Sequence, residues 1–531
     1  MARFPNMSPN SSQMPRMLPL RLPRICVALQ AATSADLFEK AEIAVRDNPF
    51  IELRLDYIRQ PASAFQRLRR FLDYHPEALV IATCRRSAGG GKFRGSIASQ
   101  VEILVKAAAN GCQFIDLELQ SAVSLKSKDL DRLRAAAAVI LSFHDFRATK
   151  KLEETFKKMA AFPADYYKVV STAGALYDNV VMMKFLERES ERHSVIGLCM
   201  GEQGIISRVL CVRAGSVFTF AGLGPGEETA PGQLAPRILR ETYRLDQVDA
   251  ATKVYGVAGD PVAHSLSPLM MNSAFRRENV NGVYLALHAR SLTDLLACIR
   301  DIPLQGLSIT MPYKQAILPH LDNADALTEK IGACNTVIRA QDGKLYGYNT
   351  DVAGVVRPLE HRLHLAGAKV LVVGAGGGAR AAVFGLKERG AEVFIINRTS
   401  SVGQKLARQA HAKFLSRAQM RGLEFDVIVN ATPVGMSDSK TSPLNEKELN
   451  ARILFEMVYT PAETKLVKMA RAKGLHVITG AEMFVQQGAR QFEIWTGKPA
   501  PADDMYRVVT TALQARSSAG NKNSAPELVA S

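Results

Sequence analysis

Cysteine is scarce and follows no ligand pattern. Seven cysteines occur in 531 residues, with no CxxC pair and no Cys/His cluster at metal-ligand spacing, so no structural zinc and no disulfide framework is expected and a reduced, cytosol-like setting fits. Aromatic residues are also few, at 7% with a single tryptophan. Basic residues give a net charge of +16 but are spread along the chain, and without rings to stack bases they argue against nucleic-acid binding. No apolar run is long enough to span a bilayer, and the N-terminus has no apolar signal-peptide core. Acidic residues are absent from residues 1–23, a stretch rich in Met, Pro, Ser, Asn and Arg. That stretch reads as a disordered leader of a cytoplasmic protein, with a plastid-targeting segment as the alternative; residues 517–531, small and polar, read as a disordered tail.

What is present is enough apolar material, 47%, to fill the two or three cores that this length implies. The excess of Lys and Arg suits anionic small substrates and cofactor phosphates.

The stretch Lys369-Val-Leu-Val-Val-Gly-Ala-Gly-Gly-Gly-Ala-Arg380 has the form of a buried parallel strand running into a glycine turn and then a helix from about Ala379. Glycines there let the backbone approach a pyrophosphate, and the helix N-terminus offers unpaired N–H groups to it. An ordinary tight strand-to-helix turn would look the same. The next strand, Glu392–Ile396, ends in Asn397-Arg398-Thr399, where an NAD site carries a carboxylate for the ribose hydroxyls. A guanidinium there suits a 2′-phosphate, so NADP(H) is expected rather than NAD.

Upstream, short apolar runs alternate with longer amphipathic ones: Ile25–Leu29, Phe50–Leu55, Leu79–Cys84, Phe114–Leu119, Ala138–Phe143, Tyr166–Val170, Val195–Met200 and Val217–Ala221. Eight strand-then-helix units fit a (β/α)₈ TIM barrel with its site at the C-terminal strand ends; an open doubly wound sheet is the other reading. Reactive side chains do cluster at those ends. Glu52, Arg54 and Asp56 are expected to alternate inward and outward, Arg85 follows the third run, Glu118 lies on the fourth, and His144 follows the fifth. Lys168 sits inside an otherwise apolar run, and Arg208 lies beyond the seventh. A lysine desolvated there among Arg54, Arg85 and Arg208 suggests a neutral amine for Schiff-base chemistry, with His144 moving a proton on the carbon beside the imine. The alternative is a structural ion pair with Glu118 or Glu52.

Together, Glu52-Leu-Arg-Leu-Asp56, Ser142-Phe-His-Asp-Phe146, Lys168, Met200-Gly201, Ser207-Arg208 and Ala230-Pro-Gly-Gln233 resemble a type I 3-dehydroquinate dehydratase over about 24–245. The resemblance implies an imine at Lys168, His144 as general acid/base, and Glu52, Arg54, Arg85, Arg208, Thr229 and Gln233 as substrate ligands. Gly89 stands where that family often has Glu.

A boundary is expected between Asp246 and Lys253. Beyond it lie Ser265 and Ser267, two hydroxyls in one turn that suit a polyol or carboxylate; the competing reading makes one of them a helix cap ahead of Pro268. Lys314 follows one strand and Asp351 another. If they meet, they form a proton-transfer pair for ketone reduction. Asn430-Ala-Thr-Pro-Val-Gly435, Tyr459-Thr-Pro461 and Gly480–Gln487 complete the pattern. In this order the motifs resemble shikimate dehydrogenase over about 253–515. By that resemblance Lys314 and Asp351 are catalytic, and Ser265, Ser267, Thr310, Asn335, Asn349, Tyr459 and Gln487 bind substrate. Gly374, Ala375, Gly376, Gly377, Gly378 and Ala379, with Asn397, Arg398, Thr399, Thr432 and Gly480, hold NADP(H). The expected layout is a barrel at 24–246, a substrate lobe at 253–352, a Rossmann cofactor lobe at 353–480 and terminal helices at 481–516 packing back on the substrate lobe.

The two resemblances fit one pathway, because 3-dehydroshikimate, the dehydratase product, is the ketone the dehydrogenase reduces to shikimate. A bifunctional enzyme acting on 3-dehydroquinate is expected, without metal, as monomer or homodimer. Its alternatives are a quinate- or NAD-preferring variant and a regulatory relative that lost its chemistry.

Overall fold

The computed structural model describes residues 21–438 and 440–518. The expected leader and tail lie outside these residues except at their inner ends. There Leu22 is buried in the barrel core, so ordered chain begins before Arg24.

The chain divides into two compact units, one running through Gly174 and resuming over Val181–Leu239, the other comprising Ala175–Val180 and the chain from Arg240 onward. In the first, each apolar run becomes a strand: β1 Ile25–Leu29, β2 Phe50–Arg54, β3 Leu79–Thr83, β4 Phe114–Glu118, β5 Ala138–His144, β6 Tyr166–Thr172, β7 Val195–Met200 and β8 Thr219–Gly222. Only the last starts later than its run, at Thr219 rather than Val217, since Val217 uses its N–H on Val195 O at 2.9 Å before β8 begins. All pairings are parallel, and the order 7-6-5-4-3-2-1-8 keeps β1 to β7 beside their sequence neighbours and sets β8 beside β1. An open doubly wound sheet would reverse direction partway; this one returns β8 to β1, forming the eight-stranded barrel. Phe50, Phe114 and Phe218 fill its interior, fully buried, and each contributes about 1.5–3 kcal/mol over an exposed ring.

The second unit contains two sheets. The first is mixed: β9 Lys253–Gly259, β10 Gly282–His288, β11 Leu304–Ile309, β12 Asn323–Ala324, β13 Thr336–Arg339 and β14 Leu345–Tyr348, in the order 10-9-11-13-14-12. The second is entirely parallel: β15 Lys369–Val373, β16 Glu392–Ile396, β17 Lys413–Phe414, β18 Phe425–Asn430, β19 Ala451–Glu456 and β20 His476–Ile478, in the order 17-16-15-18-19-20. That is the Rossmann order, whose direction changes between β15 and β18 and so opens a crevice at their C-terminal ends.

The chain leaves the mixed-sheet lobe through helix Asp351–Glu360 and returns through helix Gly480–Thr496. The two helices are joined by a bidentate pair from Arg357 to Glu493 at 3.0 and 2.8 Å. Trp495 ends up in the mixed-sheet core, donating Nε1 to Val337 O at 3.0 Å. Gly306 faces its ring, where any Cβ would come within 2.4 Å of it.

Candidate active sites

At the barrel mouth the strand period of two decides which side chains meet. Lys168, buried on β6, lies opposite Ser142 of β5, and His144 comes two residues further along on the same face. Lys168 Nζ lies 3.3 Å from Glu52 Oε1, 3.1 Å from Asp116 Oδ2 and 3.9 Å above the Phe220 ring. The expectation of an amine lined by arginines is therefore corrected: its direct charged partners are two carboxylates. Glu118, the other proposed partner, instead accepts Arg86 N–H at 2.6 Å and an amide N–H of Gln100.

Asp116 was missed. Burial raises its pKa, but the charges of Lys168 and Arg85 and a 2.7 Å bond from Ser142 outweigh that and hold it well below the usual carboxylate range. The spacing Asp116-Leu-Glu118 puts two carboxylates on one strand face, and that signal was available in the sequence. The same period corrects Glu52 and Arg54, since residues two apart on β2 share a face rather than alternate, while Asp56 lies in the turn Leu55–Tyr57 beyond the strand. Arg54 gives both arms of its fork to Asp56, at 2.9 and 2.8 Å.

His144 stacks on Phe146, with centroids 5.9 Å apart and planes 18° apart. Burial, then the charges of Arg85 and Lys168, push its pKa well below the ordinary histidine value, so the imidazole is neutral and able to accept a proton. Arg208 is almost wholly enclosed. Among the described residues it donates to backbone oxygens, Phe220 O at 3.3 Å and Pro231 O at 3.0 Å, and burial pushes its pKa down to about 10. Its Nε and that of Arg85 are buried without partners among the described residues. Buried donors left over in this way fit an anionic group of a substrate. Thr229 and Gln233 bond to each other across one turn, Thr229 N–H to Oε1 at 2.7 Å, in the loop after β8. At Gly89 an added Cβ would lie 3.2 Å from Glu118 Oε1.

In the second unit Lys314 and Asp351 do meet, Nζ to Oδ2 at 2.6 Å. Asn335 Nδ2 donates to the other carboxylate oxygen at 2.8 Å. Asn349 gives its Nδ2 to Ala333 O at 2.7 Å, leaving Oδ1 buried and unpartnered among the described residues. Thr310 follows β11 and donates its N–H to Ala258 O at 2.9 Å. Neither serine is the helix cap, which falls on Leu266 without a side-chain cap: Ser265 Oγ accepts the Ser267 N–H at 3.2 Å in the turn before the helix, and the Ser267 side chain meets the Tyr284 hydroxyl. Tyr459 stacks on Phe484 at 5.0 Å, and Gln487 donates to Phe484 O of its own helix at 2.8 Å; among the described residues neither makes a hydrogen bond to Lys314 or Asp351.

The glycine loop lies at the Rossmann crevice. Gly374 has φ +119, and a Cβ there would press to 3.0 Å from Ala431 O, so only glycine serves. The helix begins at Gly377, two residues before the expected start at Ala379, and its N-cap Gly376 supplies no capping side chain. Its first-turn N–H groups therefore point outward from a loop of Gly374, Ala375, Gly376, Gly377 and Gly378 with open space around Gly376 and Gly377. After β16, Asn397 bonds Thr399 O at 2.9 Å, and Arg398 is exposed with no polar partner among the described residues. Donors for a diphosphate and a free guanidinium for a 2′-phosphate thus fit NADP(H). Across the crevice Thr432 is held by Asn430 Oδ1 at 2.8 Å, and Gly480 opens its helix so close to Val458 that a Cβ would lie 2.6 Å from the carbonyl. Behind them Glu456, unnoticed in the sequence, accepts Asn430 Nδ2 and Thr464 Oγ1, each at 2.8 Å; burial pushes its pKa up to about 7.

Family models match in the order of these sites: type I 3-dehydroquinase over residues 25–250, the shikimate dehydrogenase substrate binding domain over 257–337, shikimate / quinate 5-dehydrogenase over 359–452, and the shikimate 5'-dehydrogenase C-terminal domain over 480–510. The second half is similar to the shikimate dehydrogenase (NADP(+)) of Geobacillus kaustophilus, 39% identical over 49% of this chain and 99% of that protein. A solved structure similar to it is the Thermus thermophilus shikimate 5-dehydrogenase in complex with NADP(H) and shikimate, 36% identical over 48% of this chain and 97% of the other, with a TM-score of 0.46. Both halves together are similar to the chloroplastic bifunctional 3-dehydroquinate dehydratase/shikimate dehydrogenase of Arabidopsis thaliana, 34% identical over 87% of this chain and 79% of that protein. With the barrel and the reductase joined in one chain as they are there, this protein belongs to the family of bifunctional 3-dehydroquinate dehydratase/shikimate dehydrogenases.

Proposed function

We propose that Lys168 and His144 carry the dehydration of 3-dehydroquinate, and that Lys314 and Asp351 carry the reduction of 3-dehydroshikimate to shikimate with NADPH. The observation that supports this reading most is the pairing of a buried lysine on β6 with a neutral imidazole on the same face of β5. At rest Glu52 and Asp116 hold the Lys168 ammonium in place. Arg208, whose Nε is buried without a partner among the described residues, takes the substrate carboxylate. The Lys168 ammonium passes a proton to Glu52 beside it, the freed amine adds to the ketone, and that proton leaves with the carbinolamine hydroxyl as water, forming a protonated imine that withdraws electrons from the adjacent carbon. His144 removes a proton from that carbon and returns it to the departing hydroxyl, so that a second water is released. Hydrolysis of the imine frees the enone and restores the amine.

In the second unit NADPH, when bound, supplies the hydride for the ketone. Gly374–Ala379 would hold its diphosphate and Arg398, with Asn397 and Thr399, its 2′-phosphate. Lys314 donates a proton to the developing alkoxide, while Asp351, held by Asn335, keeps the ammonium aimed.

Borohydride added during turnover, followed by peptide mass spectrometry, should give an adduct on Lys168; its absence there would overturn the imine assignment. Lys314→Ala should stop NADPH oxidation and leave dehydration intact. Equal loss of both activities would contradict separate sites.

A further inference from the structure

Helix Gly480–Thr496 buries a stripe of small and apolar side chains, interrupted by one amide: Gln491 is 2% exposed between Ala489 and Phe492. A buried amide is tolerated only when its hydrogen bonds are made. Gln491 makes three. Its Oε1 accepts Ser308 Oγ–H at 2.8 Å, and its Nε2 donates to Asn335 O at 3.2 Å and to Thr336 Oγ1 at 3.0 Å.

These partners fix its orientation, because a backbone carbonyl can only accept. Ser308, having given its proton to Gln491, must take one from the Tyr284 hydroxyl, 2.6 Å away. Thr336, taking one from Gln491, passes its own to Asn335 Oδ1 at 2.8 Å. That oxygen also holds the Thr350 N–H at 2.7 Å, which turns Asn335 Nδ2 toward Asp351 Oδ1 and leaves Oδ2 to Lys314. Every bond from Tyr284 to Asp351 therefore runs in one direction, an arrangement in which each bond strengthens the next. Gln491 is the link between the two halves of this chain: it ties β11 to the residues that present Asn335.

We infer that Gln491 is a positioning residue for the ketone reduction, gripping Asn335 by its carbonyl and Thr336 by its hydroxyl so that the Asp351 carboxylate stays aligned with Lys314. The inference rests on Lys314 and Asp351 being the catalytic pair.

Gln491→Met keeps the length of the side chain and removes all three bonds. It should lower kcat/KM for 3-dehydroshikimate about tenfold, as loss of a buried hydrogen-bonding amide does, with the KM for NADPH and the dehydratase activity of the same chain unchanged. Gln491→Glu supplies a second readout. Ionised, it cannot donate to Asn335 O; protonated, it regains one donor, so its activity relative to wild type should recover as pH falls. Wild-type kcat/KM in Gln491→Met, or a ratio for Gln491→Glu that does not vary with pH, overturns the inference. If Gln491→Met fails to fold, as reported by Trp495 fluorescence, Ser308→Ala breaks the same chain at a smaller side chain, and wild-type reduction there overturns the inference equally. Lys314→Ala separates the two levels: if that variant still reduces the ketone, the catalytic assignment fails, whereas if it is dead and Gln491→Met is normal, only the role of Gln491 fails.

Discussion

Replacing Glu456 with Gln isolates one ionisation behind the cofactor crevice. The carboxyl is 1% exposed, accepts N–H or O–H groups from Asn430, Val458 and Thr464, and has its pKa raised by burial from 4.5 to about 7. A raised carboxyl pKa means that the folded chain binds this proton more tightly than the unfolded chain does. The resulting stabilisation is complete below pH 4.5 and is lost as pH rises through about 7; the shift corresponds to ~3 kcal/mol. The amide introduced by Glu456→Gln is a neutral isostere of the protonated carboxyl, so the variant should match wild type in acid and lack this loss above it. Trp495 is the only tryptophan and lies in the same unit, so urea unfolding followed by its fluorescence between pH 4.5 and 8 reads the difference directly. Parallel stability profiles for the two proteins across that range would refute the reasoning, whatever their absolute stabilities.

Three further outcomes are expected. Asp116→Asn leaves Arg85 without its buried counter-charge and Lys168 with Glu52 alone, so the barrel should lose about 3 kcal/mol of stability; because Asp116 also supports the charged form of His144, the histidine limb of the dehydratase pH profile should move to lower pH, and an unmoved limb would count against this arrangement. Arg398→Ala should raise the KM for NADPH by about 1.5–3 kcal/mol in equivalent binding, the strength of a hydrogen bond to a charged group, with NADH kinetics unaffected; equal effects on both cofactors would remove Arg398 from the 2′-phosphate site. Gly89→Glu places a second carboxylate beside Glu118, whose pKa burial already raises, so it should destabilise the barrel by about 1–2 kcal/mol at neutral pH and less in acid; a penalty independent of pH would mean steric crowding alone.

Much of the architecture was legible because parallel strands covered on both faces are continuous apolar runs, as Val195–Met200 and Lys369–Val373 show. The pairing of Lys314 with Asp351 was legible only as a conditional, since nothing local brings residues 37 positions apart to 2.6 Å. The surroundings of Lys168 were read only in part, for a different reason: Glu52, named as an ion-pair alternative, is a partner, whereas Asp116 was not named. Its lining comes from β2, β4 and β8 at once, and sequence distance says nothing about which strand end faces which in a closed sheet. Gln491 and Glu456 left no signal at all. An amide on an amphipathic helix and a carboxylate at a strand end usually face solvent; here Gln491 is covered by β11 and β13 and Glu456 by Asn430 and Thr464, partners that lie on other elements.

The double crossing between the lobes has a consequence for synthesis on the ribosome. The cofactor lobe is continuous in sequence, but the mixed-sheet lobe that begins at Lys253 is finished only by helices Gly480–Thr496 and Ala502–Ser518. At cellular elongation rates on the order of ten seconds pass between emergence of Asp351 and of Gly480. During that interval the surface awaiting Phe492 and Trp495, which includes Tyr255, Phe275 and Tyr284, stands uncovered, while the glycine-loop lobe is completed, its last strand ending at Ile478. The nascent chain therefore acquires its cofactor lobe before its ketone-binding lobe, and the uncovered aromatic face is the surface on which a holdase chaperone would act.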